Sequence, residues 1–285
     1  MSINQTKLSE TPENTASDRR PRILAVSNQK GGVGKTTTAV NLATAMAAVN
    51  KRVLVIDMDP QGNASTSLGI DHKHRDINIY HVLTGDAALD AAIIPTSIPN
   101  LSVIASGVDL AAAELELVDL PNRQARLKEA LINQGLGWDF ILIDCPPSLG
   151  LLTLNALVAA DAVMVPLQAE FLALEGISHL VRTIERVKKS FNPTLEIQGI
   201  VLTMVDKRNN LSEMVESDVR EFFGAKVYTT TIPRNVRISE APSHGKPVLI
   251  YDLQSKGSRA YLDLAGEVLK RENSRNPTGN QGVAA

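Results

Sequence analysis

The 285-residue sequence contains a single cysteine, Cys145, and its aromatic residues make up only 4% of the chain. One thiol cannot form an intramolecular disulfide, and it cannot supply the several thiolates of a zinc or iron–sulfur site. A disulfide-stapled fold is therefore excluded, and an unpaired cysteine is typical of a reducing cytosol. The scarcity of aromatic side chains also argues against nucleic-acid recognition by base stacking.

Long hydrophobic runs and a strong excess of one charge are absent as well. No run reaches the roughly 18 apolar residues of a membrane span, and residues 1–20 have no apolar core of a secretory signal. The formal net charge is -2, from 29 Lys and Arg against 31 Asp and Glu. Because 44% of the residues are hydrophobic, most of the chain is expected to collapse into a globular fold.

Apolar runs alternate with helix-like periods between residues 21 and 271. We expect strands at Ile23–Val26, Val53–Ile56, Phe140–Ile143, Ala162–Val165, Ile197–Thr203 and Lys226–Thr231. We expect helices at Thr36–Ala48, Glu175–Lys189, Leu211–Phe223 and Gly257–Arg271. This alternation predicts an α/β fold in which helices cover both faces of a mostly parallel, twisted sheet. The polar segments 1–20 and 272–285 are expected to be disordered.

A glycine-rich loop follows the first predicted strand and opens the first predicted helix. It reads Gln29-Lys30-Gly31-Gly32-Val33-Gly34-Lys35-Thr36-Thr37. Glycines let backbone N–H groups turn toward an anion, and the helix N-terminus favours negative charge. In such a P-loop, Lys35 reaches the β- and γ-phosphates, the Thr36 hydroxyl binds Mg²⁺ and Thr37 lies near the α-phosphate. The motif predicts a single P-loop NTPase domain over residues 21–271.

Three aspartates close predicted strands or lie just past them. Asp57 ends the second strand, Asp59 follows it, and Asp144 ends the third. Mg²⁺ prefers oxygen ligands and keeps several waters, so we predict that Asp57 and Asp144 both hold the ion through its waters. Asp59 is better placed to orient the water that attacks the γ-phosphate, although Asp57 and Asp59 could also be turn or cap residues. Cys145 is interpreted as a small packing residue rather than a nucleophile.

The loop departs from the standard P-loop at its start, where Gln29 stands in place of glycine and a second lysine, Lys30, follows. A loop that begins with this lysine and ends Gly-Lys-Thr-Thr resembles the deviant Walker A loop of the ParA/MinD group of ATPases. Four further segments are similar to ParA proteins: residues 57–63, 144–150, 173–176 and 232–247. The resemblance extends from Arg22 to Arg271 and is strongest to the chromosomal, Soj-like branch.

This resemblance implies a cytoplasmic, nucleoid-associated ATPase with ATP and Mg²⁺ as cofactors. ATP would drive a nucleotide-sandwich homodimer, which binds double-stranded DNA without sequence preference. A ParB-like centromere-binding protein would stimulate slow hydrolysis during chromosome or plasmid segregation. The resemblance also implies that Lys30 contacts phosphates across the dimer, in catalysis with Lys35 and Asp59. Adenine contacts are implied for Met204, Pro233 and Asn235, although Pro233 could simply terminate a strand.

DNA binding by a chain of charge -2 requires a local excess of positive charge. Residues 226–259 contain six basic and two acidic residues, which leaves a net charge of +4. Each base that neutralises a phosphate releases counterions, so the affinity is independent of sequence and sensitive to salt. The resemblance implies DNA contacts for Arg208 and Arg237, and Lys246, Lys256 and Arg259 are further candidates. A solvated charged face is the alternative for each of them.

Three other functions share parts of this pattern. A MinD-like membrane switch would have the same phosphate loop but should end in a basic amphipathic helix. Residues 273–280 cannot form one, so we expect no membrane partner. A relative of the nitrogenase iron protein would need more cluster cysteines. A protein-positioning ATPase whose cargo is not DNA stays open, because only the +4 segment argues against it.

Overall fold

One seven-stranded sheet organises the residues that the computed structural model describes, which are residues 20–132, 137–170, 173–206 and 208–275. The strands are β1 Arg22–Val26, β2 Val53–Asp57, β3 Ile93–Pro95, β4 Leu101–Ile104, β5 Phe140–Asp144, β6 Ala162–Gln168 and β7 Glu196–Thr203. Their order is β3-β4-β2-β5-β1-β6-β7. Strands β3 and β4 pair antiparallel, and the other neighbouring strands pair parallel. The predicted mostly parallel α/β sheet is therefore confirmed.

Helices cover both faces of this sheet. They are α1 Lys35–Ala48, α2 Asn63–Ser67, α3 Ile79–Thr84, α4 Leu110–Glu116, α5 Arg126–Ile132, α6 Leu151–Ala159, α7 Ala173–Ser190, α8 Asn210–Phe223, α9 Val236–Glu240, α10 Val248–Tyr251 and α11 Lys256–Arg275. Helices α1, α2, α10 and α11 contribute to the core on one face, and α3 to α8 contribute to the core on the other.

The central strands β1, β2 and β5 are apolar except at an end residue, because each face of the sheet is buried. In β2, Leu54 and Ile56 belong to the core under α3 to α8, whereas Val53 and Val55 belong to the core under α1 and α11. Successive side chains of a strand point to opposite faces, so both faces need apolar residues. The continuous apolar pattern thus follows from the two helical layers. In the described residues, no helix combines the length and apolar composition that crossing a bilayer requires.

The predicted sixth strand, Lys226–Thr231, is wrong. Its first residue belongs to a short 3-10 turn, and Val227 makes only an isolated bridge to β7. The backbone N–H groups of Thr229 and Thr230 donate instead to the carboxylate of Glu267 on α11, at 2.9 and 3.0 Å. The Glu267 side chain therefore binds the backbone N–H groups that a continuous β-strand would donate to its neighbouring strand.

Other differences from the predicted elements concern short or terminal segments. Strands β3 and β4, with three and four residues, were not predicted. The last helix ends at Arg275, four residues past the predicted end at Arg271. The expected disorder at residues 1–19 and 276–285 lies outside the described residues.

The strand order places three functional loops side by side. Strand β5 lies between β2 and β1, and its register pairs Asp144 with both Asp57 of β2 and Val26 of β1. The glycine-rich loop leaves the end of β1, so it lies at the same edge of the sheet as the two aspartates. Ligands of open α/β sheets bind at this carboxyl edge.

Gly199 provides a test of the packing along β7. A Cβ atom at this position would lie 2.5 and 2.8 Å from two ring carbons of the buried Tyr228. We expect Gly199→Ala to lower the free energy of unfolding by about 1–3 kcal/mol, because the ring has to shift. The matched control is Gly266→Ala on α11, where an added Cβ meets no atom within 4 Å. It should raise the free energy of unfolding by about 0.5–1 kcal/mol.

Urea denaturation of both variants measures these changes. Equal stability of the Gly199→Ala variant and the unmodified protein would contradict the packing described here.

Candidate functional site

The glycine-rich loop forms an open turn in front of α1. Gly32 and Gly34 have φ values of 74° and 87°, which glycine adopts readily. In the part of the chain that the structure describes, no side chain caps α1 at Gly34 and no acidic side chain lies in its first turn. Gly31 and Gly32 are exposed, whereas Val33 is buried. The first N–H groups of α1 are therefore suited to bind an anion.

The two lysines of the loop have different surroundings. Lys35 is only 7% exposed, and its Nζ donates to the carbonyl oxygen of Lys30 at 2.9 Å. Burial lowers the pKa of Lys35, and the nearby Asp144 opposes this change. Lys30 is exposed, and its Nζ forms an ion pair with Glu170, which follows β6 in the same chain. Lys35 thus faces the buried carboxylates, whereas Lys30 faces solvent.

The carboxylate of Asp57 is held by three donors from its own chain. Its Oδ2 accepts from the backbone N–H of Ser65 at 2.8 Å and from the Ser65 hydroxyl at 2.7 Å, and its Oδ1 accepts from the N–H of Asp59 at 3.2 Å. Burial raises the pKa of Asp57 to about 6, although the bonds from Ser65 favour the ionised form. Asp57 is therefore a well-positioned carboxylate that ties the end of β2 to α2.

Asp144 is equally buried, but it lacks regular donors. Among the described residues, neither of its carboxylate oxygens has a hydrogen-bond partner with regular geometry. Burial raises the pKa of Asp144 well above its usual value, and the neighbouring Asp57 raises it further. The Thr36 hydroxyl and Lys35 act in the opposite direction. Two oxygens buried without partners fit a cation or its bound water, because buried polar atoms otherwise lose their hydrogen bonds.

The residues around Asp144 therefore fit Mg²⁺ held largely by water and phosphate. In the described part of the chain, no group of three His, Cys, Asp or Glu side chains could form a protein cage for a metal. Mg²⁺ usually takes only one or two carboxylates from a protein and keeps several waters. Cys145 follows Asp144 and is buried, and burial raises the pKa of its thiol, which disfavours the nucleophilic thiolate.

Asp59 lies at the rim of this cluster and is 9% exposed. Its Oδ1 accepts from the backbone N–H of Gln61 at 3.0 Å, so it stabilises the turn that leads to α2. Its second oxygen accepts no hydrogen bond from the described residues. Asp59 thus has the turn role given above as its alternative, and its role toward an attacking water stays a prediction.

A cavity of about 280 Å³ lies beside the first turn of α1. It is lined by all three residues predicted to contact adenine, Met204, Pro233 and Asn235, and also by Thr37 and Tyr261. The backbone φ of Met204 is 53°, which is uncommon for a residue other than glycine. Such backbone strain often occurs at ligand sites. The volume is near the lower end of ordinary ligand pockets, which begin at roughly 300 Å³.

Comparisons with known proteins agree with this geometry. A family model described as an AAA domain matches residues 21–197. The chromosome partitioning protein ParA of Caulobacter vibrioides is 59% identical over 256 residues, which cover 89% of this chain and 96% of the relative. The sporulation initiation inhibitor protein Soj of Bacillus subtilis is 52% identical over 247 residues, which cover 87% and 98%. The chain belongs to the ParA/Soj family of chromosome-partitioning ATPases.

A solved structure is similar to this ParA/Soj family member in fold. Cobyrinic acid a,c-diamide synthase from Mycobacterium smegmatis, with a bound ATP analogue and magnesium, superimposes with a TM-score of 0.79 and is 38% identical. The match covers 90% of this chain and 97% of that chain.

The basic residues predicted to contact DNA are exposed, but two of them are paired. Arg208 bonds both carboxylate oxygens of Asp206, at 2.9 and 2.8 Å. This pairing lowers the pKa of Asp206 to about 2. Arg237 pairs with Glu240 at 3.0 Å and with Asp252 at 3.4 Å. The two acids counted in the +4 segment of this ParA/Soj protein are therefore both in contact with Arg237.

The other three candidates keep their charge available. Lys246, Lys256 and Arg259 are exposed and form no ion pair with the described residues. An added Cβ at Gly257 would lie 2.6 Å from Ile238, so α9 and the first turn of α11 pack closely. Arg237, Lys256 and Arg259 therefore lie in one region, whereas Arg208 follows β7.

Sequence reasoning missed three residues of the site: Ser65, Glu170 and Tyr261. Ser65 lies on a five-residue helix that was not predicted, and Tyr261 faces the cavity from α11, where its spacing is that of a core residue. The partner of Glu170 is 140 residues away in the sequence. Of these three residues, only Ser65 had a local signal in the sequence. A serine shortly after the Asp57 segment can donate a hydrogen bond to the neighbouring carboxylate.

Replacing Asp144 tests whether its buried carboxylate lowers the stability of the fold. Because burial raises its pKa, the native state binds this proton more tightly than the unfolded state, and stability falls as the pH rises toward the native pKa. An asparagine side chain cannot ionise, so Asp144→Asn should stabilise the nucleotide-free protein by about 1 kcal/mol at neutral pH. The gain should be smaller at a lower pH, where more of the Asp144 carboxylate is protonated. Urea unfolding at the two pH values measures it, and a less stable variant at neutral pH would contradict the argument.

Proposed function

We propose that this ParA/Soj family member binds Mg·ATP at the carboxyl edge of its sheet and hydrolyses it slowly. One observation carries the proposal: neither Asp144 oxygen has a hydrogen bond of regular geometry from the described residues, and both lie beside Lys35 and Thr36 at the open loop before α1. A relative with the same fold has been solved with an ATP analogue and magnesium, which supports the same ligands here.

Each residue of the loop has a distinct role in this proposal. The N–H groups at the start of α1 bind the phosphates, and Lys35 exchanges its bond with the Lys30 carbonyl for phosphate oxygens. Thr36, Asp57 and Asp144 would hold Mg²⁺ or its waters, and the ion would neutralise charge on the phosphate oxygens. Asp59 orients the attacking water.

Base recognition would occur in the 280 Å³ cavity, which lies next to Thr37. Met204, Pro233 and Asn235 form part of its wall. Asn235 also caps α9, where its Oδ1 accepts from the N–H of Arg237 at 2.9 Å. A residue of the proposed base site therefore connects directly to the element that carries a candidate DNA contact.

We further propose that ATP binding produces a homodimer in which Lys30 contacts the nucleotide of the other subunit. Lys30 is about half exposed, with 48% of its side chain accessible, and its present partner is Glu170. An exposed ion pair contributes only about 0–1 kcal/mol, so a triphosphate can displace Glu170 easily. The positive charge of Lys30 would then stabilise oxygens of the transition state only after dimerisation.

The dimer would bind double-stranded DNA through the basic residues near α9 and α11, and through Arg208. Two copies of the positively charged region raise the affinity because both bind the same DNA. Contacts to phosphate oxygens suffice for binding without sequence preference. In this proposal the protein is cytoplasmic and nucleoid-associated. A ParB-like partner stimulates ATP hydrolysis and release from DNA during segregation of a chromosome or a plasmid.

DNA retention at two salt concentrations, with no nucleotide, ADP or ATP, tests this function. We expect retention only with ATP, and at least tenfold weaker binding in the higher salt because several phosphate contacts are screened. Arg259→Glu should weaken binding about tenfold without changing the ATP-dependent dimer. The matched control is Arg186→Glu, an exposed base on α7 at the opposite face of the sheet.

Equal DNA retention with ADP and ATP would contradict the nucleotide switch. Equal weakening by both arginine variants would contradict the location of the DNA contacts.

A further inference from the structure

Arg75 is a buried arginine that the proposed nucleotide and DNA sites do not use. It follows the short 3-10 turn His72–His74 and is only 5% exposed. An arginine is almost never fully buried unless its charge and its N–H groups find partners. Burial lowers the pKa of Arg75, and the negative charge of Asp57 opposes this change. The positive charge of Arg75 thus lies near the buried carboxylate at the end of β2.

The guanidinium of Arg75 joins two loops at the carboxyl edge of the sheet. Its Nη1 donates to the carbonyl oxygens of Gly62 at 3.4 Å and Ser106 at 3.2 Å. Its Nη2 donates to the Thr66 hydroxyl at 2.9 Å and to the carbonyl oxygen of Ile70 at 2.7 Å. Three of these acceptors belong to the segment around α2, whereas Ser106 follows β4. One side chain therefore holds α2 and its flanking residues against the loop after β4.

The contact between Arg75 and Gly62 fixes the end of the turn that begins at Asp59. The N–H of Gly62 donates to the carbonyl oxygen of Asp59 at 2.9 Å, and the N–H of Gln61 donates to the Asp59 carboxylate at 3.0 Å. A Cβ atom at position 62 would lie 2.4 Å from Nη1 of Arg75, so the guanidinium lies directly against the backbone of this turn. A shift of the guanidinium would therefore move the turn that carries Asp59.

A chain of hydrogen bonds also connects Arg75 to Asp57. Arg75 donates to the carbonyl oxygen of Ser106, and the N–H of Ser106 donates to the hydroxyl oxygen of Ser65 at 3.0 Å. That hydroxyl donates in turn to Oδ2 of Asp57 at 2.7 Å. The orientation of the Asp57 carboxylate thus depends on Ser65, which lies on the helix that Arg75 holds.

Stability alone gives little reason for an arginine at position 75. Its Nε is buried and has no hydrogen-bond partner in the described residues. The four acceptors of its other N–H groups are neutral oxygens, so the burial of its charge is only partly compensated. A planar guanidinium with fixed N–H directions is suited, however, to hold several carbonyl oxygens in one arrangement.

We propose that Arg75 is a positioning residue for ATP hydrolysis, because it holds the Asp59 turn and the Ser65–Asp57 pair in place. Its hydrogen bonds within the described chain go to residues 62–70 and 106 and not to the glycine-rich loop. Hydrolysis therefore depends on Arg75 much more than nucleotide binding does. This inference rests on the proposed function, in which Asp59 orients the attacking water.

ATP hydrolysis and Mg·ATP binding by Arg75→Met and Arg75→Lys test this role. Methionine keeps the length of the side chain but none of its donors, so kcat should fall about 10- to 100-fold while the Kd for Mg·ATP changes by less than about threefold. Lysine can still donate to some of the carbonyl oxygens, so Arg75→Lys should lose less activity.

The matched control is Arg126→Met. Arg126 also ties two elements together by donating to carbonyl oxygens, those of Leu83 at 2.9 Å and Thr84 at 3.1 Å, which lie outside the nucleotide site. Both kcat and Kd of this variant should stay within about twofold of the unmodified protein. Urea midpoints identify any variant that does not fold, and Arg75→Lys then carries the same comparison.

Hydrogen exchange of the nucleotide-free proteins tests the position of the turn without any enzymatic activity. The backbone amides of Gln61, Gly62 and Ser106 should exchange about tenfold faster in Arg75→Met, because their hydrogen bonds open more often. Their exchange in Arg126→Met should equal that of the unmodified protein.

A normal kcat in Arg75→Met, or an equal loss of kcat in Arg126→Met, would overturn the proposal. A loss of Mg·ATP affinity as large as the loss of kcat would also overturn it, as would unchanged hydrogen exchange of the three amides. Absence of ATP hydrolysis by the unmodified protein would contradict the proposed function and this role together. The two failures are distinguishable because the unmodified protein is measured in the same assay.

Discussion

Two buried carboxylates at the ends of adjacent strands set the main electrostatic constraint on this fold. Asp57 and Asp144 are paired in the register of β2 and β5 and are both fully buried. Burial disfavours the charged form of each, so their charges need local compensation. Asp57 receives it from Ser65, whereas Asp144 has Lys35 nearby and two oxygens without regular donors. The buried carboxylates thus carry an unfavourable electrostatic free energy that a bound cation would remove.

The remaining architecture separates functions around this edge. The strand order brings the ends of β1, β2 and β5 together, while the two helical layers face away from each other. The layer with α11 carries the exposed bases near α9.

The meeting of the glycine-rich loop and the aspartates at one edge of the sheet could be predicted because its signals are local. The glycine loop, Lys35 and the aspartates at strand ends each follow an apolar run, and the parallel sheet brings those runs to one edge. Contacts over long sequence distances could not be predicted. Glu267 takes the N–H groups of Thr229 and Thr230, which removes the expected sixth strand.

Charge counting along the chain could not show which of the bases are paired, for a similar reason. Residues 226–259 sum to +4, but folding brings Asp252 to Arg237 and thereby concentrates the free charge at other bases. The short strands β3 and β4 gave too few residues for a period to be recognised, and Pro95 argued against a strand there.

Calorimetric titration with ATP, in Mg²⁺ and in EDTA, tests most directly whether Lys35 and the buried carboxylates form a nucleotide site. We expect Mg²⁺ to tighten ATP binding to the unmodified protein. We also expect Lys35→Ala to abolish binding while the far-ultraviolet circular dichroism stays unchanged. ATP affinity that is the same in Lys35→Ala, or that does not depend on Mg²⁺, would contradict the account.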